Sequence, residues 1–232
     1  MVDIHNFKHR YELVLARVKD SHISEKNKET ILRFHNVLLS EGIGYSKIER
    51  YLYDLIKLDR MLGKDFSEAN EDDIRRIVSE INQTDLSEHT KRGFRLIVRR
   101  FYRFVRGCNK DDPHPPEVKW MSLKMGHKHS KLPEELLTEE DFISIIKYCD
   151  TLRDKALIST IAESGARVGE IGSMQIKHVS FEKYGARLTV NGKTGMRKIL
   201  IVSSAPLLQQ WINQHPKNDD PNAGLWYNPQ GE

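Results

Sequence analysis

Apolar side chains recur at amphipathic-helix spacing through residues 1–108. In SEKNKETILRFHNVLLSEG, Ser24 stands where an N-cap belongs and Gly42 where a helix stops. YSKIERYLYDLIKLDRMLG places Ile48, Leu52, Leu55 and Leu62 on one face and ends at Gly63. SEANEDDIRRIVSEINQ is shorter and carries acids in its first turn, where the helix dipole favours negative charge. LSEHTKRGFRLIVRRFYRFVRG starts after Ser87 and ends at Gly107. These helices and their short loops predict a compact helical bundle.

The period then fails. NKDDPHPPEVKWMSLKMGHKHSKLPEE holds four of the eight prolines, and Pro113, Pro115 and Pro116 oppose helix. Residues 109–133 read as a linker between domains at 1–108 and 134–232. Helical spacing returns in TEEDFISIIKYCD, where Thr138 and Asp141 sit at capping-box distance. Its Phe142, Ile145, Ile146 and Cys149 mark the stripe expected to be buried. LRDKALISTIAESG is a helix closed by Gly165, and a short helix follows from about Val168 to Met174. ARLTVNGKTGMRKILIVSS changes to strand-like spacing, with two runs flanking the glycine-rich hairpin signal NGKTG. APLLQQWINQH is helix again, and the turn-rich tail PKNDDPNAGLWYNPQGE shows no closing element. The expected fold class is mainly α, with a small antiparallel β-hairpin or sheet in the second domain.

Composition narrows what such a chain does. No run approaches the roughly 20 apolar residues a membrane span needs, and MVDIHNFKHRYEL lacks a signal-peptide core. Cys108 and Cys149, without CxxC spacing, read as free thiols of a reducing compartment, hence a cytoplasmic protein. His114, His127 and His129 lie in the linker without ligand partners at a recognisable spacing, so no metal is expected. The net charge of +4 over 232 residues is mild and matters only where it is concentrated.

It is concentrated in KRGFRLIVRRFYRFVR, Lys91 to Arg106, with seven basic residues and no acid. At about 100° per residue, Phe94, Ile97, Val98, Phe101, Phe104 and Val105 share one face. Arg92, Arg95, Arg99, Arg103 and Arg106 share the opposite one, with Lys91 and Arg100 beside them. Arginine forks match phosphate oxygens, and a one-sided cationic ridge is an electrostatic footprint for nucleic acid. The plain alternative is a solvated helix face, although such faces usually mix signs. A weaker basic set, Lys47, Arg50 and Lys57, is diluted by Glu49, Asp54 and Asp59.

In SGARVGEIGSM a charge sits in apolar company. Arg167 follows the glycine that ends one helix and precedes the next, with Glu170 close enough to hold it. Such a junction offers backbone N–H groups and a guanidinium to an anion. The hairpin tip presents Lys193, with Arg197 and Lys198 on the return strand. An arginine and a lysine meeting one phosphate would stabilise the charge that builds up in phosphoryl transfer. The residues alone leave a structural Arg167–Glu170 pair and an ordinary hairpin equally open.

These stretches resemble a family. LRDKALISTIAESGARVGEIGSMQIKHVSF followed by RLTVNGKTGMRKILIVSS is similar to the first half of the catalytic domain of the tyrosine recombinases, which include phage, plasmid and archaeal integrases and Xer-type enzymes. EHTKRGFRLIVRRFYRFV and the helices before it resemble their helical core-binding domain. KLPEELLTEEDF resembles the linker and first catalytic helix in a form like that of archaeal integrases. The resemblance implies a core-binding domain plus part of an α+β catalytic domain, closing on the duplex as a C-shaped clamp. It implies site-specific DNA recombination, in which strands are cut and rejoined through a 3′-phosphotyrosyl intermediate without metal or nucleotide cofactor. The implied partners are a double-stranded recombination site and further recombinase protomers. By position, Arg167 matches the arginine that holds the scissile phosphate, Glu170 the acid that supports it, and Lys193 the hairpin general acid for the leaving 5′-hydroxyl. The DNA-contacting set would be Lys91, Arg92, Arg95, Arg99, Arg100, Arg103, Arg106, Lys47, Arg50, Lys57 and Arg197.

The family pattern continues with H-x-x-R, a further His or Trp, and a nucleophilic tyrosine. None follows Lys193: His215 precedes PKN, and Tyr227 comes before the point where H-x-x-R would stand. HTKR, at His89 to Arg92, lies in the wrong domain. The expectation is an N-terminal portion of a recombinase, from a truncated, proteolysed or split gene product, that binds DNA as a free monomer without cutting it. The alternative is a non-catalytic DNA-binding protein that occupies sites or regulates a full-length recombinase; an RNA-binding helical protein is a third reading.

Overall fold

A computed structural model describes residues 6–20, 22–124, 136–192 and 195–227. They divide into two compact units, within 6–130 and 131–232.

The helical unit opens with α1 (Phe7–Asp20), a helix the periodicity did not separate from its surroundings. It packs along α3 and buries Tyr11, Val14 and Val18. α2 (Glu25–Ser40) starts as expected at Ser24, whose Oγ accepts the Asn27 N–H at 3.2 Å. In α3 (Tyr45–Leu62) the stripe Ile48, Leu52, Leu55 and Leu62 is buried, and left-handed Gly63 ends the helix. α4 (Glu71–Asn82) begins with an Asn70–Asp73 capping box, and α5 (Glu88–Val105) begins at Ser87. Phe101 of α5 sits at the centre, edge-on to Phe34 at 5.3 Å and to Phe66 at 4.8 Å. Burying each such ring contributes roughly 1.5–3 kcal/mol.

The proline segment does not leave this unit at residue 109. Pro116 starts a single turn, α6 (Pro116–Lys119), where a missing N–H costs nothing. That turn directs Val118 and Met121 into the helical core. Trp120 lies under the Arg75 guanidinium at 4.2 Å. The first part of the expected linker, up to residue 124, is therefore core structure of the helical unit.

In the second unit α7 (Glu139–Lys147) has the expected Thr138–Asp141 capping box. Its expected buried stripe is not buried: Ile145 is exposed, and Phe142, Ile146 and Cys149 are half-buried. The reason is one-sided packing, since α7 rests mainly on α8 (Leu152–Ser164). Gly165, in the left-handed region, closes α8, and α9 (Val168–Gly172) follows. Three strands, β1 (Val179–Glu182), β2 (Gly185–Gly192) and β3 (Gly195–Ile201), form an antiparallel sheet in that order. β1 adds an edge to the hairpin that the sequence suggested. Ala186, Leu188, Val190 and Ile201 face a core shared with Ile171, Met174 and Leu208 of α10 (Ala205–Gln214).

The tail, too, differs from expectation. Leu225 is fully buried and its N–H donates to Met174 O at 2.8 Å. The Trp226 indole donates to Ile171 O, also at 2.8 Å, and Gly224 bridges Gln175. Buried His215 holds the turn between: its Nδ1 accepts the Lys217 N–H at 3.0 Å, and its Nε2 donates to Gly224 O at 3.0 Å. Turn-rich sequence has no period to betray such docking. Only its partner surface on α9 reveals it.

Candidate nucleic-acid interface

The chain turns sharply after Gly165, and Arg167, in extended backbone, caps α9. One helical turn on, Glu170 reaches back and accepts the Arg167 N–H at 3.0 Å and its Nη1 at 2.9 Å. From β3, Arg197 approaches the same carboxylate as a fork, with Nη1 at 3.1 Å from Oε1 and Nη2 at 2.7 Å from Oε2. Arg197 arrives there through strand parity. It pairs with Val190, so it shares the inward face of the hairpin with Ile199 and Ile201. That alternation is visible in the sequence, yet Arg197 reads there only as one more DNA contact. The structure instead brings Arg197 together with Arg167 and Glu170.

Glu170 is 4% exposed. The Arg197 fork, followed by the Arg167 N–H and guanidinium, outweighs burial and holds its carboxyl at about 2. Charge-assisted bonds of this kind are the strong ones. Gly192 lies directly against the carboxylate: a Cβ there would stand 1.8 Å from Oε1. Only glycine lets the hairpin and α9 approach so closely.

Two backbone N–H groups of this junction are already taken. Glu170 takes that of Arg167, and the Ser164 hydroxyl takes that of Ala166 at 3.3 Å. The Arg167 side chain is 65% exposed and bonded to Glu170 through Nη1. Two guanidinium groups on one carboxylate leave the cluster with net charge +1. Lys198, opposite in parity to Arg197, is exposed. Lys193 lies outside the described residues, as do His127 and His129.

The arginines of α5 divide into two kinds. Arg92 donates through Nε to Leu123 O at 2.8 Å, and Arg95 through Nη1 to Asn82 Oδ1 at 3.0 Å. Lys91 reaches Asn82 O at 3.0 Å and Glu88 at 3.3 Å. Arg100 binds the Tyr51 hydroxyl at 3.1 Å and also Glu41. Arg103 gathers the carbonyls of Asn109, Lys110 and Asp112. Arg106 bridges buried Glu117 to the carbonyls of Ser67 and Ala69. Most of the ridge thus fastens neighbouring segments to the helix. Arg99 differs: among the described residues it has no hydrogen bond or ion pair. Partial burial, then the nearby Arg103 and Arg92 charges, lower its pKa. The same two causes, burial and then Arg99 and Arg103, lower that of His114. An anion there would relieve this mutual repulsion.

On α3, Lys47 is exposed, Arg50 is held by buried Asp54 at 2.8 Å, and Lys57 lies over the Phe94 ring at 5.8 Å. Burial raises the Asp54 pKa, against the pull of Arg50. Arg50 and Lys57 line a cavity of about 680 Å³ with Arg17, Arg60, Tyr53 and Thr90. Among the described residues, no three His, Cys, Asp or Glu side chains group as metal ligands, and no helix is long and apolar enough to cross a membrane.

Residues 135–231 match the model of the phage integrase family. The chain is 24% identical over 186 residues to tyrosine recombinase XerA of Pyrococcus horikoshii, covering 79% of this chain and 59% of that protein. It is 22% identical over 200 residues to XerA of Saccharolobus solfataricus, covering 80% of this chain and 64% of that one. The chain therefore spans less than two thirds of the length of these curated relatives. Among solved structures, the XerH site-specific recombinase bound to palindromic difH substrate, a post-cleavage complex, superposes with a TM-score of 0.63 at 18% identity. The match covers 96% of this chain and 72% of that one. The Tn1549 transposon integrase in complex with transposon right end DNA gives 0.54 at 14% identity, with the same coverages.

Proposed function

The chain belongs to the tyrosine recombinase family, with a phage integrase domain at residues 135–231, and from that premise we propose that it grips duplex DNA through phosphate contacts. Arg167 is the phosphate ligand of the second unit, Glu170 its holder, and Lys193 the hairpin cation that meets the same phosphate. On the helical unit, Arg99, Lys47, Arg50 and Lys57 are the cations best placed for the backbone, with the remaining α5 arginines shaping the surface around them. The observation that carries the reading is the Arg167 side chain, held at one edge by a buried carboxylate and 65% exposed. A fixed guanidinium with spare donors suits a phosphodiester oxygen. The DNA-bound XerH and Tn1549 integrase structures of like fold support the same partner.

In the whole protein this site serves strand cleavage and rejoining through a phosphotyrosyl intermediate, in the cytoplasm, with protomers meeting on the recombination site. The 232 residues themselves hold no H-x-x-R after Lys193. One lost electrostatic donor at a reacting centre typically costs about 10²–10³ in rate. We propose that these 232 residues on their own bind duplex DNA without forming a covalent adduct. Incubation with nicked suicide duplexes, resolved on denaturing gels, tests this. Salt-sensitive binding without a protein–DNA adduct is expected. An adduct overturns the inactivity, and absence of duplex binding at low salt overturns the DNA reading.

A further inference from the structure

We propose that Arg197 is a positioning residue that acts through Glu170 to leave Arg167 available to a DNA phosphodiester. The inference rests on the reading of Arg167 as a phosphate contact. Its ground is the charge count around one buried carboxylate. A buried Glu170 facing Arg167 alone would neutralise it and draw the guanidinium inward, because opposite charges attract strongly where water is excluded. Arg197 takes both oxygens of Glu170 in a fork, at 3.1 and 2.7 Å. Arg167 then needs to give the carboxylate only its N–H and Nη1. The surplus positive charge falls on the more exposed of the two, since Arg167 is 65% and Arg197 39% exposed.

The same contact seats the hairpin. Arg197 and Gly192 lie on opposite strands of it, and both touch Glu170, one as a fork and one as a bare Cα. The segment that carries Lys193 is thereby fastened at its base to the helix that Arg167 caps. Arg197 does this through a fork that turns one N–H of each terminal nitrogen to Glu170.

The test is fluorescence anisotropy of the 232-residue chain with a labelled mixed-sequence duplex at low salt. Arg167→Gln and Arg197→Gln are each expected to weaken binding by about threefold to tenfold. Adding Glu170→Gln to Arg197→Gln should recover most of the lost affinity, because the anion competing for Arg167 is gone while the amide oxygen that replaces it can still accept the Arg167 N–H. A purely structural Arg197, or one that binds DNA directly, predicts instead that Glu170→Gln changes affinity by the same factor with Arg197 present as without it. Arg197→Lys carries the test should Arg197→Gln not fold: charge is kept and the fork lost, so weakening is smaller, and Glu170→Gln should again reverse it. Parent-like binding by Arg197→Gln, or a folded double variant that stays weak, overturns the proposal. If the parent chain does not bind duplex at all, the DNA reading falls instead, so the two failures are distinguishable.

Discussion

The arginines of α5 and the two around Glu170 use the same side chain in opposite ways. On α5 the acids that a one-sided stripe lacks in sequence come from other segments: Glu41 meets Arg100, and Glu117 meets Arg106. Backbone carbonyls of residues 109–112 occupy Arg103. The helix is a spine to which loops are tied, and among the arginines of α5 Arg99 is the one left without a hydrogen bond or ion pair to the described residues. Around Glu170 the count runs the other way, with one acid shared by two arginines and a surplus charge facing outward. A row of basic residues thus reports little about free charge until the partners of each are known.

The largest effect that would sharpen this contrast is expected from Arg106→Ala. It strands Glu117, which is 7% exposed, and releases the carbonyls of Ser67 and Ala69. Removing one partner of a buried ion pair costs about 3 kcal/mol. Urea unfolding measures it, and a change under about 1 kcal/mol would return α5 to the status of a solvated ridge. Next comes Gly192→Ala, whose Cβ would collide with the Glu170 carboxylate. Overpacking of this kind costs about 2 kcal/mol, and it should also weaken duplex binding by displacing Arg167. A thermal melt and an anisotropy titration on one preparation decide both points.

Acid titration is a gentler probe. Glu170 is held at about 2, below its ordinary 4.5. A depressed carboxyl contributes stability that is fully present above 4.5 and lost as pH falls through about 2. The second unit should therefore weaken across that window, while Glu170→Gln removes this share of the acid sensitivity. Tryptophan fluorescence reads it through Trp211 and Trp226; equal acid sensitivity in both proteins would deny Glu170 its role. The smallest effect on stability belongs to Arg99→Ala, within about 0.5 kcal/mol. The same change should flatten the salt dependence of duplex binding by about one unit of slope. Arg103→Ala is the control that reverses the pattern, costing stability first. Matching behaviour of the two variants would erase the distinction drawn on α5.

Much of the local architecture is legible in single residues. Ser24, Ser87 and Thr138 cap helices because a hydroxyl at that position accepts an orphan N–H. Gly63 and Gly165 end helices because the chain turns left-handed there. Arg167 and Glu170 are legible as a pair because three residues separate neighbours on a helical turn. α6 and the docked tail are not, since each consists of a few apolar residues whose burial needs a surface built elsewhere in the chain.

The sequence by itself determined α2–α5 and α7–α10, the hairpin, the apolar stripe of α5 and the type of each charged group, because capping, periodicity and turn chemistry act over a few residues. Tertiary structure alone decided which of those charges are spent. Glu117 reaches Arg106 from 11 residues away, and Arg197 reaches Glu170 from 27. Coulomb attraction depends on distance and burial in space, and neither is written in the spacing of residues along the chain.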